Sequence, residues 1–378
     1  MRIYFDNAST TPLDPEVVKV MSQVLVEDFG NPSSIHYFGR KSKSIIENAR
    51  KIVAKEINAA VNEIFFTSSA SEANNTILKN AVKDLEVRHI ISSPTEHPCV
   101  INSLNAIADK QLCKVTYLTV DHQGNIDLSQ LEQLLASDST KKMVSIMHGN
   151  NEIGTVVQLN KIGALCRQYD TLFHSDAVQT IGKYAVDVQA AKIDFLSATA
   201  HKFHGPKGIG FMYISNDHIL SPYVHGGAQE RNMRAGTENV VGIAGLAEAL
   251  SIAAKHRSEV LSHIIDLRQK LKQALDAVFE DIKYNGNQDS DYLHHVLSVS
   301  FPPTPKADLL VMNLDIAGIA ASSASACSAG IEEDSHVLKA IGHPEERKTI
   351  RFSFSKYNTE DEVNYLIEKL QTMTPLKK

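Results

Sequence analysis

Two settings in this sequence hold residues that can do chemistry. In "SSASACSAG", Ser322 to Gly330, one of the chain's four cysteines, Cys327, stands among Ser, Ala and Gly. Such neighbours are too small and polar to build an apolar pocket around a thiol, and a loop made of them has few anchoring contacts. In "HSDAVQTIG", Asp176 closes a strand-like run, and in "SATAHKFHGPKGIG", Lys202 follows another. Ligands of open α/β sheets bind beyond the carboxyl ends of the strands, so this amine and this carboxylate are expected in one crevice.

A lysine and an aspartate so placed suit pyridoxal 5'-phosphate. The cofactor needs an amine to form a Schiff base with its aldehyde and a carboxylate to keep its ring nitrogen protonated. It also needs a phosphate cradle, and "FFTSSASEANNTI" supplies a strand, a Ser-rich turn and a helix start with free N–H groups. Taken singly, each residue has a plainer reading: a solvated lysine, or an aspartate forming a turn. Lys207 competes with Lys202 but sits in the turn "GPKGIG", which is no nucleotide fingerprint. His201 and His204 form an i, i+3 pair with no third metal ligand nearby, so no metal is expected.

The elements that must position these groups alternate along the chain. "EIFFTSS", "RHIISSP", "KVTYLTV", "KMVSIMH", "TLFHSDA", "IDFLSAT" and "GIGFMYI" read as strands. Helical segments such as "SEANNTILKNAVKDL", "DLSQLEQLLA" and "LNKIGALCRQY" lie between them. This predicts an α/β fold, a mostly parallel sheet with helices on both faces. The last two strands are joined too closely for a helix and predict a hairpin. A helical stretch then runs from Asn239 to Phe279, as two helices or one bent one. Beyond it, "HHVLSVSFP", "KTIRFSFS" and a helix from "TEDEVNYLIEKL" predict a smaller α+β domain. We expect a large cofactor-binding domain over 15–255, and a small domain from 1–14 and 256–378 that carries the Cys327 loop.

Composition narrows the function classes. The chain has 378 residues, 43% hydrophobic and 22% charged, with a net charge of −6 and 6% aromatic residues. The acidic balance, with no basic block, disfavours direct nucleic-acid binding. No apolar stretch reaches 18 residues and the amino end is no signal peptide, so no membrane association is expected. Four cysteines without a C-x-x-C pair predict reduced thiols in a cytoplasmic protein. Cys99, Cys113 and Cys166 read as buried, structural cysteines.

The ordered motifs "YFDNASTTPLDP", "FGNPSSIHYFGR", "TEHPCV", "SIMHGNNEIGTVV", "HSDAVQTIGK", "AHKFHGPKGIG", "HGGAQERNMRAGTENV", "SSASACSAG" and "IRFSFS" run nearly end to end. Together they resemble the cysteine desulfurases of the NifS/IscS type, in the class V aminotransferase family of pyridoxal-phosphate enzymes. The resemblance implies the type I transferase fold and a homodimer. It implies conversion of L-cysteine to L-alanine, with sulfur passing to Cys327 as a persulfide. From there the sulfur would go to an acceptor protein, an iron–sulfur scaffold or a tRNA-thiolation enzyme.

Residue roles follow from the same resemblance. Lys202 would bond the cofactor and Asp176 would pair with its ring nitrogen. His97 would stack on the ring, and either it or the released lysine would take the substrate's α-proton. Gln179 would meet the phenolic oxygen and Asn151 would position the substrate. Ala70, Ser71, Thr199 and His201 would line the phosphate site, with Thr237 reaching it from the partner subunit. Arg351 would hold the substrate carboxylate, for which its planar fork is suited. Asn31 and Asn7 would line the entrance. His336 has no role assignable from sequence.

Three motifs depart from the family pattern. Ser69 and Ser71 stand where Gly and Thr are usual, Thr199 replaces Ser, and Ala324 replaces the Gly of the cysteine loop. A positive φ at Ser69 would carry a backbone cost, and Ala324 would stiffen the loop. The rival readings are a selenocysteine lyase or an aminotransferase of the same family, the latter having no use for Cys327. A sulfur-relay scaffold without catalysis is a reading of another class.

Overall fold

The computed structural model describes residues 2–304, 307, 309–323, 326–328, 331–333 and 335–373, without the side chains of 326–328 and 331–333. In chain order the first elements are β1 (Ile3–Tyr4), α1 (Pro15–Glu27), α2 (Tyr37–Glu56), β2 (Ile64–Thr67), α3 (Ala70–Asp84), β3 (His89–Ser92), α4 (Pro98–Asp109) and β4 (Lys114–Tyr117). Next come α5 (Leu128–Ala136), β5 (Lys142–Ser145), α6 (Leu159–Gln168), β6 (Leu172–Asp176), β7 (Phe195–Thr199), β8 (Gly210–Ile214) and α7 (Val240–Val278). The rest are β9 (Lys283–Tyr284), β10 (Val296–Phe301), α8 (Leu310–Ile316), β11 (Ile319–Ala320), β12 (Ser322–Ser323), β13 (Ala326–Ser328), β14 (Ile331–Glu333), α9 (His336–Ala340), β15 (Lys348–Ser353) and α10 (Glu360–Met373).

Seven strands form one sheet in the order β2-β8-β7-β6-β5-β3-β4. All run parallel except β8, which is antiparallel to both β2 and β7. The short connection between β7 and β8 is the expected hairpin. Successive residues pack to opposite faces: Phe65, Ile90, Met143, Phe195 and Met212 into one core, and Phe66, Ile91, Val144, Leu196 and Phe211 into another. Burial on both faces explains why the sequence shows apolar runs here rather than strict alternation.

The second body is a four-stranded sheet, β12-β15-β10-β9, joined by the parallel pair β1-β11. Leu297, Val299, Ile350 and Phe352 pack there against Leu267, Leu271 and Leu275 of α7 and Val363 and Leu366 of α10, with Ile3 and Phe5 from the amino end. The stretch expected as two helices or a bent one is a single α-helix of 39 residues. Its first half, Ile243 to Leu250, is buried in the large sheet's core and its second, Ile264 to Leu275, in the small one. Residue 255 lies between these two segments. Asn239 starts the helix by accepting the Gly242 N–H at 3.0 Å, a side-chain cap worth about 1 kcal/mol. Among the described residues no helix is long and apolar enough to cross a membrane.

Candidate active site

The carboxyl ends of β2, β3, β5, β6 and β7 open into one cavity of about 350 Å³, lined by His97, Asn151, Asp176, Gln179, Thr199, His201, Lys202 and Arg351, with Ser69, Ala70 and Ser71. Of the thirteen predicted site residues, the side chain of Cys327 lies outside the described residues, and of the other twelve all but Thr237 and Asn31 line this one cavity. A larger cleft of about 780 Å³ lies beside α7. It holds neither Lys202 nor Asp176, so the smaller cavity is the chemically equipped one.

Each side chain is set by the element beneath it. Asp176 ends β6, 5% exposed; its Oδ1 accepts the Val178 N–H at 3.0 Å and its Oδ2 accepts from Asn74 Nδ2 at 2.7 Å. Lys202 closes the one-turn 3-10 helix after β7 and donates to the carbonyls of Ala8 and Ser9, both at 2.7 Å. Burial, then the positive charge of Arg351, lowers the Lys202 amine to about 8, against the pull of Asp176 and Asp6. Gln179 donates to the Ala8 carbonyl at 2.9 Å, and its Oε1 lies 3.2 Å from Nε2 of buried His295. Thr199 donates to the Ile209 carbonyl at 3.0 Å. His201 Nδ1 is 3.2 Å from the Thr10 hydroxyl, and burial pushes its ring down to about 4. Lys207, the sequence competitor, is exposed.

Arg351 comes from β15, across from the large sheet. It donates to the Asn151 carbonyl and to Asp6 Oδ1, both at 2.8 Å, and to the Ser9 and Ser322 hydroxyls. Its buried Nε has no acceptor among the described residues. The guanidinium therefore sits fixed at the cavity wall with one donor to spare.

His97 caps α4, accepting the Cys99 N–H at 3.2 Å on Nδ1. Desolvation lowers its pKa, Asp176 raises it, and Lys202 and His336 lower it further. His336, unassigned by sequence, comes from the start of α9, with its Nε2 2.8 Å from the Glu96 carbonyl. Glu96 itself is fully buried: Oε1 accepts the Met147 N–H at 2.6 Å and Oε2 has no partner among the described residues. Burial raises its pKa well above the carboxylate range.

Several expectations are corrected. Ser69 has φ −171°, ordinary extended backbone, and caps α3 by accepting the Glu72 N–H at 3.2 Å, so losing glycine costs no strain. A Cβ at Gly210 would lie 2.5 Å from the Ala198 carbonyl oxygen and 3.2 Å from the Ala70 nitrogen, so glycine is needed in β8 instead. Asn7 is buried, not at an entrance; it donates to the Ser353 carbonyl at 2.8 Å and ties the amino end to β15. Asn31 is exposed and folds back to accept the Ser33 N–H at 2.9 Å, outside the cavity of its own chain. Thr237 is exposed beside a separate hollow of about 70 Å³ with Thr67, Ser68 and Arg234. Cys113 and Cys166 are buried as expected, but Cys99 is only partly so and lines the cavity, its Sγ 3.0 Å from His97 Nδ1. The backbone of Cys327 pairs antiparallel with Glu332 in β13-β14; its side chain, and Ala324, lie outside the described residues.

Sequence reasoning missed Asn74, Cys99 and the Ala8 and Ser9 carbonyls. Cys99 stands two residues from His97 and Asn74 one turn into the helix of the Ser-rich motif, and that proximity was the available signal.

Known proteins resemble this chain over its whole length. The family model described as aminotransferase class-V matches residues 3–366. A cysteine desulfurase IscS of Dictyoglomus turgidum is 40% identical, over 99% of this chain and 97% of its own. A solved NifS-like protein superposes with a TM-score of 0.91 at 38% identity, over 98% of this chain and 99% of the other. A structure titled as SspA in complex with cysteine gives a TM-score of 0.82 at 33% identity, over 95% of this chain and 100% of the other.

Proposed function

The chain belongs to the class V aminotransferase family, among its NifS/IscS-type cysteine desulfurases, and from that premise we propose that it converts L-cysteine to L-alanine with transfer of the sulfur to Cys327. The observation that carries this reading is one cavity holding Lys202, Asp176 and Arg351 together.

The donor set fits pyridoxal phosphate. Lys202 would hold its aldehyde carbon, Asp176 its ring nitrogen and Gln179 its phenolic oxygen. The amino end of α3 at Ala70 and Ser71, with Thr199 and His201, would hold its phosphate, as helix amino ends hold anions. Bound there, the cofactor supplies an electron sink for the substrate's α-carbon. Arg351 would pair with the substrate carboxylate and Asn151 would hold the substrate in place. Lys202, lowered to about 8, has a neutral amine fraction for taking the α-proton at neutral to mildly basic pH. The Cys327 thiolate would then attack the substrate sulfur. An S–S bond forms, the Cβ–S bond breaks with its electron pair kept by the substrate fragment, and protonation of that fragment gives alanine.

The persulfide on Cys327 would serve an acceptor protein, for iron–sulfur assembly or tRNA thiolation. A homodimer would bring Thr237 to the partner's phosphate site. Val26, Phe29, Ile35 and Tyr37, all large and exposed, support such a contact surface. The free thiols of Cys99, Cys113 and Cys166 support a reducing, cytoplasmic setting.

The test follows sulfide and alanine together from L-cysteine and a reductant. Equimolar products, lost in Cys327→Ala while the cofactor colour stays, are expected. Alanine unchanged by that substitution would turn the reading to a selenocysteine lyase or an aminotransferase.

A further inference from the structure

A chain of hydrogen bonds runs under the cavity floor. Ser145 Oγ and His174 Nδ1 are 2.9 Å apart, and His174 Nε2 and Asn74 Oδ1 are 3.1 Å apart. Asn74 Nδ2 reaches Asp176 Oδ2 at 2.7 Å and Cys99 Sγ at 3.3 Å, and Cys99 Sγ reaches His97 Nδ1 at 3.0 Å. Ser145, His174 and Asn74 are wholly buried.

The chain has one direction. An ionised carboxylate only accepts, so the Asn74 amide must turn its NH₂ to Asp176 and its carbonyl to His174. His174 Nε2 must then carry hydrogen. Burial pushes His174 down to about 3, so the ring is neutral with one proton. Its Nδ1 therefore accepts from the Ser145 hydroxyl. At the far end, burial and then the charge of Asp176 push the Cys99 thiol up to about 12, which keeps its proton in place. Its sulfur receives Asn74 and the Ser71 hydroxyl, and its S–H gives to His97.

We infer that Cys99 is a positioning residue: its thiol, held by Asn74, adds a second donor beside its own backbone N–H at His97 Nδ1, which reinforces that nitrogen as an acceptor and the proton of neutral His97 on Nε2. This rests on the desulfurase reading only for what His97 does. A ring with hydrogen on Nε2 can donate from that nitrogen but cannot take a proton there. The choice left open by sequence then falls on Lys202 as the group that takes the substrate's α-proton, with His97 as a donor.

The inference sets a sign for titration. A hydrogen bond donated to Nδ1 favours the neutral ring and lowers its pKa. The other groups facing His97 are Asp176 at the end of β6, Lys202 after β7 and His336 of α9; Glu96 and Asp176 face Cys99. None is altered by substitution at Cys99.

The experiment is a ¹⁵N-histidine NMR titration of the purified holoenzyme, with His97→Gln identifying the His97 signals. The expected wild-type result is the Nε2–H tautomer. In Cys99→Ala the His97 pKa should rise by roughly half to one unit, the scale of one lost hydrogen bond. The pH profile of kcat/KM should move with it. Cys99→Ser, which keeps a donor, should stay near wild type. Cys99→Val, also without a donor, replaces an alanine variant that does not fold. An Nδ1–H tautomer in the wild type, or a His97 pKa within about 0.2 unit in the donorless variant, overturns the inference. A chain that makes no alanine from cysteine would instead refute the desulfurase reading, and the titration would still read out.

Discussion

Removing the Glu230 carboxylate should destabilise the protein severely although it lies outside the cavity. Glu230 accepts from both Arg50 Nη1 and Nη2 at 2.8 Å, and from the Phe66 N–H at 2.7 Å. Arg50 is 2% exposed and Glu230 5%. Arg50 cannot discharge itself by losing a proton. In Glu230→Ala its buried charge keeps the Ile64 carbonyl, at 2.7 Å, a longer contact with Glu47 and the face of the Phe66 ring, but loses its paired carboxylate. Breaking such a pair from one side costs about 3–5 kcal/mol, against a total stability of about 5–15 kcal/mol. With an unfolding entropy of about 2.1 cal/mol/K per residue, 378 residues give about 1.3 °C per kcal/mol, so the melting temperature should fall by roughly 4–6 °C. Glu230 also orders the segment from Gln229 to Asn232, where it holds φ 44°, so Thr237 should be displaced too. Thermal melts of wild type, Glu230→Ala and the double variant Arg50→Met, Glu230→Leu test this. The double variant should recover most of the loss, because it leaves no charge buried alone. A single variant within about 1 kcal/mol of wild type, or a double variant no better than the single, would refute the reasoning.

Two more outcomes can be checked on stability. Glu96, neutral in the folded chain, binds a proton that the unfolded chain releases above the usual carboxylate range. Its contribution is therefore full below that range and falls as pH rises. Glu96→Gln should flatten the fall in unfolding free energy between about pH 5 and 8, and an unchanged slope would count against a protonated Glu96. At Gly163 of α6, an added Cβ would lie 1.9 Å from the Ala191 carbonyl oxygen. Gly163→Ala should cost about 1–3 kcal/mol by overpacking, read as a lower melting temperature, and an unaltered melt would contradict the packing of α6 on that turn.

The large sheet was legible because its strands are buried on both faces and so appear as apolar runs ending in polar residues. Asp176 and Lys202 could be found at those ends for the same reason. The short pairs β11 to β14 carry no such pattern and depend on neighbours distant in sequence. Arg50 and Glu230 are 180 residues apart, and nothing in either local sequence announces the other. Ser69 was misjudged because the motif suggested a glycine conformation that the helix cap does not need. Cys99 was misjudged because a thiol's burial depends on the cavity that His97, Asn74 and Asp176 build around it.

The unbroken α7 changes how the two bodies can move. A helix of 39 residues is roughly 58 Å long at about 1.5 Å per residue, and it acts as a shared axle rather than a tether. With both halves gripped by separate cores, one body can tilt against the other only by flexing backbone hydrogen bonds along the shaft. Loop hinges yield more freely than that. Arg351, carried by the small body, is thereby kept in register with Lys202, carried by the large one, and substrate entry must be accommodated by side chains and short segments at the cavity rim.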